Sequence, residues 1–338
     1  MELDVAKVGL TGVVKSWEVV NPDGSIAQAC YEPKNNLILD TGLDFVGTTE
    51  SIPACFAYLA VGTGTGESTT DMTTLQTETT YGGTTRPAAS GYTAYNSTTI
   101  PAADADPFIV IYQIGIQTDV GKLNGTFTEL GFGPTSTKGA NLWSRFRVVD
   151  AEGEPTSFTI TSEQQLRLKY QLSIRFLPIV PTAYECAITG YDDTFGYTAG
   201  WQGISNSAGK FALTYLVLFG TSSTSLFTNS GWGPELGGLT AAPSFLPLTT
   251  LVVNPGYSGY ADTATVTRDA YVPGSYSNYI NALFTTLQLV GNVYGLQLCP
   301  GINVLANTLI WLCVFDTPIA KPNTHNLAFK LKFSWGRG

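Results

Sequence analysis

Apolar residues recur at every second position over much of this chain. Leu166, Leu168, Tyr170, Leu172 and Ile174 alternate with charged or polar neighbours, and Leu327, Phe329, Leu331, Phe333 and Trp335 do the same near the other end. Phe108, Val110, Tyr112 and Ile114 interleave with Ile109, Ile111 and Gln113. A period of two sends successive side chains to opposite faces, so these segments predict strands, half buried. Windows with helical character are few. Residues 37–46 and 277–289 are the candidates, and both carry β-branched or aromatic residues that a strand tolerates equally. One short helix in each half is the expectation. With 36 Gly and 18 Pro punctuating short apolar runs, the chain reads as mainly β, of sandwich type.

The order of segments repeats. Phe56-Ala57-Tyr58-Leu59-Ala60-Val61-Gly62-Thr63 returns as Leu213-Thr214-Tyr215-Leu216-Val217-Leu218-Phe219-Gly220-Thr221, which sets Tyr58 157 residues before Tyr215. Ser90-Gly91-Tyr92 returns as Ser258-Gly259-Tyr260, Leu130 to Pro134 as Leu296 to Pro300, and Leu166 to Ile174 as Leu327 to Trp335. A repeat of this length is domain-sized, too long for a solenoid unit. The expectation is therefore two tandem, similar β-sandwich domains of jelly-roll-like type, 1–180 and 181–338, produced by internal duplication. Pro178-Ile179-Val180-Pro181 marks the boundary as a short stiff connector.

Composition adds a surface with few charges. Of 338 residues, 43% are hydrophobic and 13% charged, against a usual ~25% charged. Exterior that is permanently covered by other protein does not need charge to stay in solution, so such a surface suits a large assembly. A net charge of −9 argues against a broad grip on nucleic acid or on an anionic membrane. Arg145, Arg147, Arg167, Lys169 and Arg175 alternate with apolar residues and read as the solvated face of a strand. The five cysteines, Cys30, Cys55, Cys186, Cys299 and Cys313, are widely spaced and form no CxxC pair. They read as buried hydrophobes of a chain assembled in a reducing compartment, with no metal and no cofactor expected. The amino terminus lacks a signal-peptide pattern, and no apolar run reaches the ~18 residues of a membrane span.

The segments Asn35 to Asp44, Tyr58 to Thr65, Glu129 to Gly133, Leu142 to Arg145, Thr161 to Tyr170, Phe315 to Lys321 and Leu331 to Arg337 resemble those of tailed-bacteriophage virion proteins of the tail-fibre, tail-appendage or collar type. Asn35-Asn36-Leu37-Ile38-Leu39-Asp40-Thr41-Gly42-Leu43-Asp44 is similar to their NLI-x-x-x-G-L-D opening. Tyr58 to Thr65, with Leu75 and Glu78, is similar to a VGTGT…T-x-L-x-x-E signature. Glu129 to Gly133, Leu142-Trp143-Ser144-Arg145 and Thr161 to Tyr170 resemble E-x-G…LFSR…EQLRVTY strands, and Phe315 to Lys321 with Leu331 to Arg337 resembles an F-x-PPI-x-K…L-x-SWGR ending. The stretch from Gln171 to Val314 is not covered. One departure is internal: Cys299 and Pro300 stand where the first half has Gly133 and Pro134. The resemblance implies a β-rich virion component, assembled in the host cytoplasm into a symmetric appendage. It implies no catalytic residue.

Enzymatic chemistry finds little to build on. His325, the sole histidine, sits in the turn sequence Pro322-Asn323-Thr324-His325-Asn326. Gly62-Thr63-Gly64-Thr65-Gly66 superficially resembles a phosphate cradle but lacks the Lys and helix that would hold the anion. Asp104 with Asp106, Asp192 with Asp193, and Glu152 with Glu154 are the carboxylate pairs a glycosidase would need, all in turn sequence, where calcium is the other reading. The loops 62–99 and 220–259 exceed hairpin length and are candidates for partner binding. Trp201, Trp232, Tyr257, Tyr260, Tyr271 and Tyr276 are candidates for subunit contact or for stacking on sugars, beside Tyr191 and Tyr279. The reading is a non-enzymatic virion structural protein whose partners are copies of itself and other virion proteins. The alternatives are a double jelly-roll capsid protein forming pseudo-hexagonal trimers, and a glycan-binding or glycan-degrading module that recognises a host surface glycan.

Overall fold

The computed structural model describes residues 2–48, 55–79, 85–91, 97–99, 108–177, 182–187, 194–202, 235–239, 260–299 and 310–338. Strand accounts for 56% of the structure, which makes the fold mainly β with several sheets. In chain order the strands are β1 (Glu2–Val20), β2 (Ile26–Cys30), β3 (Lys34–Ile38), β4 (Tyr58–Gly62), β5 (Glu78–Thr79), β6 (Ser90–Gly91), β7 (Ser97–Thr99), β8 (Phe108–Gln117), β9 (Gly125–Phe127), β10 (Glu129–Gly133), β11 (Ser144–Arg147), β12 (Phe158–Ile160) and β13 (Gln165–Leu177). They continue as β14 (Thr182–Ala187), β15 (Thr194–Gln202), β16 (Glu235–Leu239), β17 (Tyr260–Thr263), β18 (Thr265–Arg268), β19 (Ser277–Phe284), β20 (Gly291–Cys299), β21 (Ile310–Lys321) and β22 (Leu327–Arg337). The single helix among the described residues is α1 (Asp40–Thr48), between β3 and β4.

The chain forms two compact units. One comprises Gly9–Thr99, Ile111–Ile174 and Arg337–Gly338, and the other Met1–Val8, Ile100–Val110 and Arg175–Gly336. β1, β8, β13 and β22 contribute residues to both. The expected connector, 178–181, lies outside the described residues, as do 213–221 and most of the Ser258-Gly259-Tyr260 echo.

In the Gly9 unit the strand order β1-β3-β11-β10-β4-β5 is antiparallel throughout. Its register sets Arg145 opposite Leu37 and Gly131, and Gly131 opposite Ala60. Alternation decides which face is inside. Leu166, Leu168, Tyr170, Leu172 and Ile174 of β13 are all fully buried. Phe56 meets Tyr170, Phe132 and Trp143 with ring centroids 4.8, 5.6 and 5.9 Å away, and Phe158 sits between Trp17 and Phe127 at 5.4 and 5.5 Å. These distances suit tilted and edge-on ring contacts.

Helix α1 starts where β3 ends. Leu39 N–H donates to Trp143 O, which closes the strand pairing, and Leu43 N–H donates back to Leu39 O as the first helical bond. Asp40 supplies a carboxylate to the helix amino terminus, where the helix dipole favours it. Gly42 packs against the Trp143 carbonyl with no room for a side chain.

The Arg175 unit contains a six-stranded antiparallel sheet, β14-β15-β21-β20-β16-β17, and the strand path β18-β19-β22. On β22, Leu327, Phe329, Leu331, Phe333 and Trp335 are buried while their neighbours are not. Phe329 packs between Phe284 and Phe315, with centroids 6.2 Å from each. The second window with helical character, 277–289, is strand β19 followed by a turn: Asn278, Ala282 and Phe284 face inward while Ser277 pairs with Ser334 and Phe284 with Leu327. Tertiary pairing overrode its weak helical tendency. No helix among the described residues is long and apolar enough to cross a membrane.

Candidate functional site

Glu129 and Arg145 organise an extended polar arrangement among the described residues of the Gly9 unit. Both side chains are fully buried, on neighbouring strands β10 and β11. Arg145 Nε and Nη2 lie 2.8 and 2.7 Å from Glu129 Oε2, a charge-assisted two-point contact. Glu129 also accepts three backbone N–H bonds, from Gly64 (2.9 Å) and Thr77 (2.8 Å) at Oε1 and from Gln76 (3.1 Å) at Oε2. The guanidinium is completed by Ser68 Oγ at 2.8 Å, Gly66 O at 3.0 Å and Met72 Sδ at 3.4 Å. Every bond beyond the ion pair reaches into residues 64–77. The long loop after β4 is thus draped over a buried charge pair whose lone pairs and protons it satisfies, the condition under which such a pair is tolerated.

This accounts for the glycines of Gly62-Thr63-Gly64-Thr65-Gly66. A methyl group on Gly62 would stand 2.5 Å from Glu129 Oε1, and one on Gly64 would stand 2.5 Å from the same oxygen. The loop does cradle an anion, and that anion is the chain's own carboxylate.

A second buried pair closes the other end of the loop. Arg86 Nε and Nη2 contact Glu78 Oε1 and Oε2 at 2.7 and 3.0 Å, Nη2 also donates to Ala140 O at 2.6 Å, and Glu78 Oε2 accepts from Gly139 N–H at 3.0 Å. Both partners are at most 4% exposed. Leu39, Ala60, Leu75 and Leu142 form a buried apolar cluster in the same unit, with Leu37 and Met72 against them.

Beside the Glu129–Arg145 pair opens a cleft of about 440 Å³. It is lined by the apolar Leu37 and Val149, by Glu67 and Ser68, by Gly153 and Pro155 of one turn, and by the cationic Lys34 and Arg147. Lys34 Nζ donates to Ala151 O at 2.7 Å, and Arg147 Nη1 is paired with the Glu67 carboxylate. Sequence reasoning missed this site. It took Arg145 and Arg147 for the solvated face of a strand, whereas Arg145 is fully buried beneath a loop the strand pattern could not show. The available signal was Glu129 itself, a carboxylate heading the otherwise uncharged strand Glu-Leu-Gly-Phe-Gly.

The aromatic candidates are only partly gathered. Tyr271 stacks on Trp335 at 5.5 Å, and Tyr276, with φ of 47°, accepts the Trp335 N–H at its carbonyl, 2.9 Å away. Trp335 is thus what brings these two together. Trp201 lies on β15 opposite Trp311, and Tyr260 opens β17 opposite Leu239. Trp232 and Tyr257 lie outside the described residues, together with Tyr191, Asp104, Asp106, Asp192 and Asp193. Tyr279 lies on β19 with Lys330 Nζ 4.1 Å above its ring.

Glu152 and Glu154 sit exposed in a turn whose Asp150 carboxylate accepts from Glu154 N–H at 2.8 Å. His325 is an exposed turn residue, its N–H bonded to Pro322 O. Among the described residues no group of three His, Cys, Asp or Glu stands together in a way that could hold a metal ion. Cys30, Cys55 and Cys313 are buried and outside any disulfide, and burial pushes the Cys55 thiol up to about 12. Comparison with family models, curated proteins and solved structures finds no match to this chain.

Proposed function

We propose that this chain is a non-enzymatic virion structural protein of the tailed-phage tail, collar or fibre type, acting through assembly with copies of itself and with other virion proteins. The observation that carries this reading is the meeting of the resembling segments in space. Asn35 to Asp44, Tyr58 to Glu78, Glu129 to Gly133, Leu142 to Arg145, Tyr170 and Arg337 are scattered over the sequence, yet they touch one another within the Gly9 unit. Asp40 N–H bonds Thr70 O at 2.8 Å, Leu142 N–H bonds Thr73 O at 2.8 Å, and Arg337 Nε bonds Ile38 O at 2.6 Å. Contact among short motifs that resemble one family is what a shared scaffold requires, and it supports this reading. The roles they play here are to lock a loop and fill a core.

The finer reading, two duplicated jelly-roll-like sandwiches, belongs to the same proposal. It is supported by the echoed strands that lie among the described residues: β10 and β20 each run between two antiparallel neighbours, and β13 and β22 alternate alike. A ring of chains with two similar domains each presents twice as many quasi-equivalent positions as chains, which suits a junction between parts of different symmetry. Electron microscopy of the purified protein with class averaging tests this. A closed ring or spike with paired lobes per chain is expected. A flat pseudo-hexagonal tile moves the reading to the capsid alternative, and a monomer at high concentration overturns assembly as the function.

A further inference from the structure

The structure assigns the cleft beside Arg145 as a binding site for an organic carboxylate of about the size of one sugar ring or one amino-acid residue. Its volume of about 440 Å³ falls within the range of small-ligand pockets. The lining is mixed as in such sites: the aliphatic Leu37 and Val149 stand beside the polar or charged Lys34, Glu67, Ser68 and Arg147. Of the charged residues lining it, Lys34, Arg145 and Arg147 are cationic and Glu67 is the one acid, in a chain whose net charge is −9. Lys34 Nζ is held in place by Ala151 O at 2.7 Å and uses one of three protons there. Among the described residues no carboxylate stands within ion-pair distance of it. Arg147 is fixed by β11, with Glu129 opposite it in register, and only 22% of its side chain is exposed.

Arg147 already holds a carboxylate, and that is the second observation. Glu67, another residue of the lining, pairs with Arg147 while 84% of its own side chain remains exposed. An exposed acid of this kind is weakly held, because solvent screens the attraction and a long side chain must be ordered to make it. Glu67 therefore marks where a ligand carboxylate sits and is readily displaced by one. Arg147 offers the planar two-point contact that carboxylates prefer. A ligand body over Leu37 and Val149 then brings a second polar group to Lys34 or Ser68. The site is independent of whether the chain assembles.

Two sources supply such a carboxylate, an acidic sugar or an acidic amino-acid residue, and the test separates them. Sodium glucuronate and N-acetylglutamate amide are titrated against the intact protein by calorimetry, with glucose and N-acetylglutamine amide as neutral controls. Saturable binding of glucuronate alone assigns an acidic glycan, and saturable binding of the glutamate derivative alone assigns an acidic peptide. Either supports the site. Glu67→Gln removes the internal competitor and is expected to tighten binding several-fold, while Arg147→Gln weakens it about tenfold. Thermal melts of both variants establish that they fold. Failure of both probes to bind Glu67→Gln in the millimolar range overturns the assignment, as does binding that Arg147→Gln leaves unchanged.

Discussion

At the scale of single residues, the buried Glu129–Arg145 pair is where substitution does most. Glu129→Gln leaves Arg145 charged, buried and without its counter-ion, and the expected loss is about 3–5 kcal/mol by urea denaturation. In Glu129→Gln with Arg145→Met the stranded charge is gone, so the double variant is expected to be more stable than the first single variant. Gly64→Ala pushes a methyl group onto Glu129 Oε1 and is expected to cost about 1–3 kcal/mol through overpacking. Burial raises the Cys55 thiol from its ordinary 9.0 to about 12, and burial raises the Tyr170 hydroxyl in the same direction. The unfolded chain loses the thiol proton first as pH climbs, so this contribution to stability is complete below pH 9.0 and disappears as pH rises through about 12. Thermal melts should show the midpoint falling across that window, and thiol reagents at neutral pH should leave Cys55 untouched until the protein unfolds.

At the scale of elements, alternation was a sufficient guide to β13 and β22, because a period of two has one physical meaning when one face is buried. It was no guide to 277–289, where pairing with β18 and β22 made a strand of an ambiguous run. Nor could it show the loop from Gly62 to Thr77, whose conformation is dictated by bonds to residues 52 to 79 positions away. Helix α1 shows the same dependence on distant chain. Within the Gly9 unit, Arg337 bonds Ile38 O at 2.6 Å and Asp40 Oδ1 at 2.5 Å, residues 299 and 297 positions away at the start of the helix. The side chains of this pair are 30% and 38% exposed, so solvent takes part of its strength. Arg337→Ala is expected to cost about 1 kcal/mol and to speed amide exchange in α1 more than in β13.

At the scale of the whole molecule, the compact units draw on residues from the start, middle and end of the chain, so neither is a simple stretch of sequence. If assembly is the function, a chain with only 13% charged residues implies contacts made by apolar groups and backbone rather than by ion pairs. Light scattering should then find the oligomer persisting in high salt, and dissociation on raising ionic strength would contradict that view of the interface. The β class, the inward faces of the long strands and the burial of Cys30, Cys55 and Cys313 could be read from the chain alone, since each follows from local periodicity or from the chemistry of one residue type. Glu129, Arg145, the closed loop and the cleft could not. A charged residue in a strand looks solvated until something covers it, and what covers Arg145 is a segment some 75 residues earlier in the chain that only the folded sheet brings over it.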